Sequence, residues 1–365
     1  MRRRKFTLLT LLMLTACVEA RERGQAHDET ATTADASSSE SSSSAESLAV
    51  ALACTAFMDN TTTRCEDDTL YIESNGLPTT HNMMVGIIAW QQQFPLPQPY
   101  TGDNAWQIPL TPTLADEPIS GASELFRGAI ALAVNGVPIF NALNNRGVDA
   151  YLAGELDEWG GHVGRGDDYH YHTAPTHLQS VVGVDQPIAY GLDGFPIYGL
   201  TEPDGSAVVE LDEYNGHAHD DGDYHYHATE TYPYINGGMR GVVTYENGQV
   251  EPQPSARPVR PAGEPLRGAV ITEFSQTGVD NYSLKYTLND ETYTVLYAIE
   301  GDLYTFEFVD PSGNSTVETY TAGAGGNGAG GNGAGEPPPP PPNGANAPPP
   351  PPKGNAKNNK EWPSS

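Results

Sequence analysis

Histidines are concentrated in one part of the chain, at spacings that suit metal binding. Eight of the ten histidines lie between His162 and His227, and the tetrapeptide Tyr-His-Tyr-His occurs twice, at residues 169–172 and 224–227. Because alternate side chains of a strand point to opposite faces, each run would present two imidazoles on one face and two tyrosines on the other. Two imidazoles on one strand face are typical of a metal site or of a hydrogen-bonded polar core.

The sequence around the two runs is also repeated. Residues 155–172 align without a gap on residues 210–227, with 11 of 18 positions identical, and the likeness extends upstream to give two copies, residues 130–172 and 188–227. Each copy contains an apolar strand, an Asn-Gly or Asp-Gly turn, a second strand, a Gly-His segment and the YHYH strand. Asn-Gly and Asp-Gly favour tight hairpins. The pattern predicts a duplicated β unit whose halves pack with approximate two-fold symmetry.

A third histidine precedes each YHYH run. A strand that carries His-x-His holds two imidazoles within reach of one ion, and a nearby loop can add a third. The predicted metal ligands are His162, His170, His172, His217, His225 and His227. Asp168 and Asp223 could be further ligands or could orient an imidazole N–H. His177 and His219 are the other side chains predicted to lie beside the ligands. Neutral imidazole suits Zn, Cu, Ni or Fe, and a divalent Zn or Cu ion is expected. The sequence leaves open whether each copy forms its own site or the two copies share one.

An open coordination position on such an ion would allow Lewis-acid or activated-water catalysis. The sequence assigns no catalytic pair, and whether the protein is an enzyme stays open. Asp193 is the one acid–base candidate, although its Asp-Gly context is first of all typical of a turn. The chain lacks the G-x-S-x-G motif of serine hydrolases and the phosphate-binding loop G-x-x-x-x-G-K.

In these motifs the chain resembles the YHYH-domain proteins, many of which are secreted bacterial proteins. The resemblance covers roughly residues 48–245. It rests on the ordered segments LYIESNGLPTTHN (70–82), AVNGVPIFN (133–141), DEWGGH (157–162), YHYHTAP (169–175), GLDGFPIYG (191–199), LDEYNGH (211–217), YHYHAT (224–229) and YPYINGGMRG (232–241). Family members often carry cysteine where Trp159 and Tyr214 stand, and another near Gly238, and this chain lacks all three. The resemblance implies a YHYH domain and supplies no biochemical activity.

The first residues resemble a bacterial lipoprotein signal. Residues 1–16 combine a basic start, an apolar run at residues 6–13 that is too short to span a bilayer, and the tripeptide LTA directly before Cys17. Cys17 is therefore the predicted lipidation site. The expected localisation is export and lipid anchoring in the cell envelope. Because Val18 rather than Asp follows the cysteine, the outer membrane is expected if the host is diderm.

The charge of the chain limits its partners. The formal net charge is −29, from 18 Lys and Arg against 47 Asp and Glu. Such a chain repels nucleic acid and anionic lipid, so no nucleic-acid partner is expected. The expected partners are the membrane, through the lipid anchor, and an envelope protein or glycan, while the oligomeric state stays open. Cys54 and Cys65 are candidates for one disulfide in an oxidising compartment.

Composition divides the chain into segments. They are a signal peptide (1–16), the lipidated cysteine and a disordered tether (17–47), the YHYH domain with its internal repeat (48–250), a proline-rich linker (251–265), a β-meander (266–322) and a disordered Gly/Pro-rich tail (323–365). Polar and apolar residues alternate between turn signals in the meander. The predicted fold class is mainly β, a duplicated β unit followed by a small antiparallel meander.

Three functions agree with these features. The leading hypothesis is an envelope-anchored module that binds Zn or Cu through the duplicated histidines and sequesters or senses the metal. The second is a metal-dependent hydrolase or oxidoreductase that acts outside the cytoplasm. The third is a metal-free adhesion or carbohydrate-contact module, with tyrosine and tryptophan side chains as contact platforms.

Overall fold

The computed structural model of the chain describes residues 49–219 and 222–323. The signal peptide, Cys17, the tether and nearly all of the Gly/Pro-rich tail lie outside the described residues. The described part is mainly β, as the sequence predicted, with twenty strands and little helix. Within this part of the chain, no helix is both long and apolar enough to cross a membrane.

A small antiparallel sheet precedes the repeated region. The first strands are β1 (Thr62–Glu66), β2 (Thr69–Glu73), β3 (Trp106–Pro109) and β4 (Leu114–Ser120). Strands β1, β2 and β3 form this sheet in that order. Helix α1, described over residues 49–55, is joined to β1 by a disulfide between Cys54 and Cys65. Every second side chain of β2 and β3 is buried, as expected for strands with one face against a core.

The histidine-rich region forms an eight-stranded sheet. Its strands are β5 (Ala129–Ala133), β6 (Pro138–Phe140), β7 (Gly161–Val163), β8 (Tyr169–Tyr171), β9 (Ala189–Gly191), β10 (Pro196–Tyr198), β11 (Gly216–Ala218) and β12 (Tyr224–His227). The spatial order is β11-β12-β10-β9-β5-β6-β8-β7. The two central strands, β5 and β9, are antiparallel to each other and buried along their whole length. From this centre outward, each half has an antiparallel hairpin, then a parallel neighbour, then an antiparallel edge strand.

Tight turns close the two central hairpins. Asn135-Gly136 connects β5 to β6, and Asp193-Gly194 connects β9 to β10. The glycines have φ values of +79° and +95°, a region that side chains with a Cβ atom rarely adopt. The asparagine and aspartate accept hydrogen bonds from backbone N–H groups two residues on. The sequence signal for these hairpins therefore has a local backbone cause.

Short elements surround the sheet. A 3-10 turn (Thr176–Leu178) and helix α2 (Gln179–Val182) connect its halves. Strand β13 (Gly238–Gly241) pairs with β4, and β14 (Thr244–Glu246) pairs with β15 (Gln249–Glu251).

The C-terminal strands form an antiparallel meander, as predicted. They are β16 (Val270–Gly278), β17 (Asn281–Leu288), β18 (Glu291–Glu300), β19 (Leu303–Val309) and β20 (Ser315–Thr321), each paired with the next. The alternating pattern had indicated four of these strands, and the structure adds β16. Phe94 packs against Tyr297 and Phe306 of the meander, with ring centroids 5.6 and 5.3 Å apart.

Candidate metal centres

The first cluster forms on the outer hairpin of β7 and β8. His162 lies directly opposite His170 in the antiparallel pair, and His172 follows two residues later on the same face. The Nε2 atom of His162 is 3.1 Å from the Nε2 atoms of both His170 and His172. Three ring nitrogens therefore converge on one point, which is buried at His170 and His172 and partly buried at His162.

Hydrogen bonds at Nδ1 of His170 and His172 determine which nitrogen of each neutral ring carries the proton. The Nδ1 atom of His170 is 3.0 Å from the Asp168 carbonyl oxygen, and that of His172 is 2.5 Å from the Asn141 carbonyl oxygen. A carbonyl only accepts, so both Nδ1 atoms carry the proton, and in the neutral form of each ring the Nε2 atom is then bare. His162 Nε2 can donate at most one proton, so at least one nitrogen lone pair faces another without a proton between them.

The spacing of these nitrogens is that of ligands around one ion. Imidazole nitrogens bind Zn at about 2.0–2.1 Å, and donors at tetrahedral angles then lie about 3.3–3.4 Å apart. The observed separations of 3.1 Å are close to that value. Burial, followed by the neighbouring His170 and His172, lowers the pKa of His162 well below its usual range. Burial, followed by His170, lowers the pKa of His172 to about 3. These two imidazoles are neutral at physiological pH, the form that binds metal.

The second cluster repeats this geometry on β11 and β12. His217 lies opposite His225, with Nε2 atoms 3.1 Å apart, and the Nε2 atoms of His225 and His227 are 3.0 Å apart. The Nδ1 atom of His227 donates to the Gly199 carbonyl oxygen at 3.1 Å. Burial, followed by the nearby His227 and His217, lowers the pKa of His225 to about 4. Burial also lowers the pKa of His227.

A buried glutamate joins the second cluster. Glu202 follows β10, and its Oε1 atom is 3.2 Å from His217 Nε2. Its Oε2 atom is 3.4 Å from His225 Nε2 and 3.3 Å from His227 Nε2. Burial opposes ionisation of this carboxyl, but His227, His217 and His225 together outweigh burial and lower its pKa below the usual range. The four residues form a group whose ligand atoms all lie within 4.8 Å of one another.

The two clusters are separate. Strands β8 and β12 are five positions apart in the sheet, roughly 24 Å at about 4.8 Å per strand. Of the two arrangements that the sequence left open, the structure therefore has one cluster in each half of the sheet.

The tyrosines of both runs lie on the opposite face, and three of the four donate to carboxyl groups. In the first run, Tyr169 donates to Asp157 at 2.8 Å. In the second run, Tyr224 donates to Asp212 at 3.0 Å and Tyr226 donates to Asp193 at 2.5 Å. Burial raises the pKa of Asp157 to about 6, against four hydrogen bonds that lower it.

The remaining predicted residues take different places. Asp168 lies on the Nδ1 side of His170, with its Oδ2 atom 3.4 Å from that nitrogen. His219 is half exposed, and its Nε2 atom is 3.4 Å from Glu202 Oε2. Asp223 immediately precedes β12, and its carbonyl oxygen is 3.4 Å from the backbone nitrogen of His219. Asp193 is fully buried between Tyr226 and two backbone N–H groups.

His177 lies with the tyrosines, on the face away from the first cluster. Its ring contacts His81 at 4.7 Å and Trp159 at 5.0 Å between centroids. The Nε2 atom of His81 is 2.6 Å from the Tyr171 hydroxyl, which accepts a hydrogen bond from Asn135.

Sequence reasoning did not identify Glu202 as a candidate ligand. The repeat alignment that relates residues 130–140 to 188–198 continues past β6 and β10 and pairs Gly147 with Gly205. The extended alignment pairs Asn144 of the first copy with Glu202 of the second. The sequence signal for Glu202 was therefore an acidic residue at a repeat position that is polar in both copies.

Fold and site define a mainly β protein with two buried, histidine-rich clusters that could each hold a metal ion. A family model described as YHYH protein matches residues 105–207, so the chain contains a YHYH family domain there. The match includes the first cluster and Glu202 and ends before the second YHYH strand. No curated protein and no solved structure matches the chain.

Proposed function

We propose that this protein is an envelope-anchored lipoprotein that binds one divalent ion, Zn or Cu, at each of its two histidine clusters. The observation that supports this most directly is the convergence of three Nε2 atoms in the first cluster with too few protons to separate their lone pairs. A polar core would pair each buried acceptor with a donor. A cation placed among the three nitrogens satisfies all of them at once.

The ligand types favour Zn or Cu. Neutral imidazole binds Zn, Cu, Ni and Fe, whereas Ca and Mg take oxygen ligands. Hydrogen bonds from Nδ1 to backbone carbonyls at His170, His172 and His227 orient the rings, as the partners of metal-binding histidines do.

The proposal includes a duplicated origin of the two sites. The same sequence of antiparallel, parallel and antiparallel pairings on each side of β5 and β9 supports it, as do the matching turns at Gly136 and Gly194. Export and lipidation at Cys17 rest on the N-terminal sequence.

The test is the metal content of the mature chain, made with Cys17→Ser and without tag histidines. After exposure to Zn or Cu and removal of loosely bound metal, we expect about two ions per chain. His170→Ala with His172→Ala should leave one, His225→Ala with His227→Ala should leave one, and the four changes together should leave none.

A matched control removes two histidines outside the clusters. His81→Gln with His177→Gln should retain two ions per chain. If the wild-type chain holds no metal at pH 7.5 and its melting temperature does not respond to a chelator, the histidines are a polar core and the proposal is wrong.

A further inference from the structure

We infer that the two centres have different coordination: the second is closed by four protein ligands, and the first keeps one position for a small external ligand such as water or a compact anion. This inference rests on the proposed metal binding. It begins from one difference between the halves of the sheet, the residue that stands at the position of Glu202.

Asn144 occupies that position in the first half. Leu143 forms an isolated bridge with Asp149, as Thr201 does with Ala207. The backbone N–H of Asn144 donates to the residue four positions on, at 2.8 Å, and the N–H of Glu202 does the same at 3.0 Å. The two loops therefore present an amide in the first half where the second half presents a carboxylate.

The Asn144 side chain is held in other bonds. Its Nδ2 atom donates to the two carboxylate oxygens of Glu155 at 3.2 and 3.1 Å, and its Oδ1 atom accepts from the backbone of Arg146 and Val148. The Arg146 guanidinium also pairs with Glu155. Among the described residues, the ligand atoms that converge at the first centre come from His162, His170 and His172.

This difference decides the chemistry of each centre. Three neutral imidazoles leave the full charge of a divalent ion uncompensated and one tetrahedral position free, as in sites where Zn activates water. In the second centre, the Glu202 carboxylate supplies a fourth ligand and cancels one positive charge. Four protein ligands are typical of a structural site.

The burial of the first centre limits what can reach an ion there. Two of its three histidines, His170 and His172, are buried, and His162 is partly buried. The external ligand is therefore water, hydroxide or a compact anion rather than an organic substrate.

Cobalt(II) and azide provide the test, because the visible absorption of Co²⁺ reports its ligands. With His225→Ala and His227→Ala, only the first centre remains, and azide should change the Co²⁺ spectrum. With His170→Ala and His172→Ala, only the second centre remains, and azide should leave the spectrum unchanged. A response at the second centre equal to that at the first, or no response at a cobalt-loaded first centre, would overturn the inference.

The wild-type chain gives the same answer without any substitution. Loaded with two Co²⁺ ions, it should bind one azide per chain, and a stoichiometry of zero or two would contradict the inference. Failure of the wild-type chain to bind Zn, Cu or Co²⁺ would instead refute the proposed metal binding, and this inference with it.

Substitution of Glu202, the residue that distinguishes the two centres, is a further check. In the chain that keeps only the second centre, Glu202→Ala should retain one Co²⁺ and acquire the azide response. An unchanged spectrum with cobalt still bound would show that Glu202 does not close the centre.

Discussion

A backbone carbonyl determines which nitrogen of the last histidine in each YHYH run faces its cluster. His172 donates from Nδ1 to the carbonyl of Asn141, and His227 donates to that of Gly199. Both carbonyls directly follow a strand, β6 or β10, that runs parallel to the YHYH strand. The repeated pairing of strands therefore fixes the tautomer with Nε2 bare, the form needed to bind a metal.

Two histidines outside the clusters make the stability of the protein depend on pH. Burial lowers the pKa of His81 to about 4, against a weaker opposing effect of its hydrogen bond to Asn82. Burial, followed by the neighbouring His81, lowers the pKa of His177 to about 3. In the unfolded chain a histidine titrates near about 6.5. The stability that depends on their neutral form is therefore present above about pH 6.5 and is lost as pH falls toward the folded-state values.

His177→Phe tests this dependence, because it keeps the ring contacts with His81 and Trp159 and removes one titrating group. Below about pH 6.5, the free energy of unfolding of the variant should fall less steeply than that of wild type, by up to about 1.4 kcal/mol per pH unit. The measurement is urea unfolding at pH 7, 6 and 5 with a chelator present, so that metal binding does not contribute. Parallel pH profiles for the two chains would contradict the prediction.

At the residue scale, the histidines were predictable and Glu202 was not. Alternation along a strand and the His162–His170 spacing bring the imidazoles together by local geometry alone. Glu202 is one of 47 acidic residues, and its place at the second cluster depends on a loop fold that no local pattern specifies. The continued repeat alignment was the only signal for it.

At the scale of elements, turn chemistry predicted the central hairpins but not how they assemble. Asn-Gly and Asp-Gly mark β5–β6 and β9–β10 because the turn itself requires positive φ. The parallel pairs β6–β8 and β10–β12 join strands separated by long loops, and their register depends on contacts distant in sequence. This pairing, rather than the hairpins, brings each YHYH strand beside the carbonyl that orients its last histidine.

Two glycines with similar φ values allow the free-energy cost of backbone strain to be separated from the cost of a steric clash. Gly194 and Gly205 have φ values of +95° and +82°. A Cβ atom at position 194 would lie 2.5 Å from the Pro109 carbonyl oxygen, whereas one at position 205 would meet nothing within 4 Å.

We therefore expect Gly205→Ala to cost about 1–2 kcal/mol of unfolding free energy from backbone strain alone. Gly194→Ala should lower the unfolding free energy by about 1–3 kcal/mol more than Gly205→Ala does, because β9–β10 must move away from Pro109. Urea unfolding of both variants gives the comparison. Equal losses would mean that the contact with Pro109 relaxes without cost.

At the scale of the whole molecule, the proline-rich segment before the meander is fastened to the body of the protein. Arg260 donates to Asp167 at 2.8 Å and to the Gln92 carbonyl oxygen at 2.7 Å, and Arg257 donates through its backbone to Gln98. The partners lie more than 90 residues away in the sequence. Composition indicated only a linker, because the composition of a segment carries no information about its contacts with residues distant in the sequence.

Lipidation of Cys17 would hold the molecule at a membrane. If Cys17 is lipidated, Cys17→Ala should move the protein from the membrane fraction to the soluble fraction. Loss of the acyl chains removes the main source of membrane affinity, and a net charge of −29 disfavours residual attraction to anionic lipid. Immunoblots of separated fractions give the measurement, and Cys54→Ala with Cys65→Ala serves as the control that changes cysteines without removing the lipid. If the Cys17→Ala chain stays in the membrane fraction while the control does so too, anchoring does not depend on Cys17.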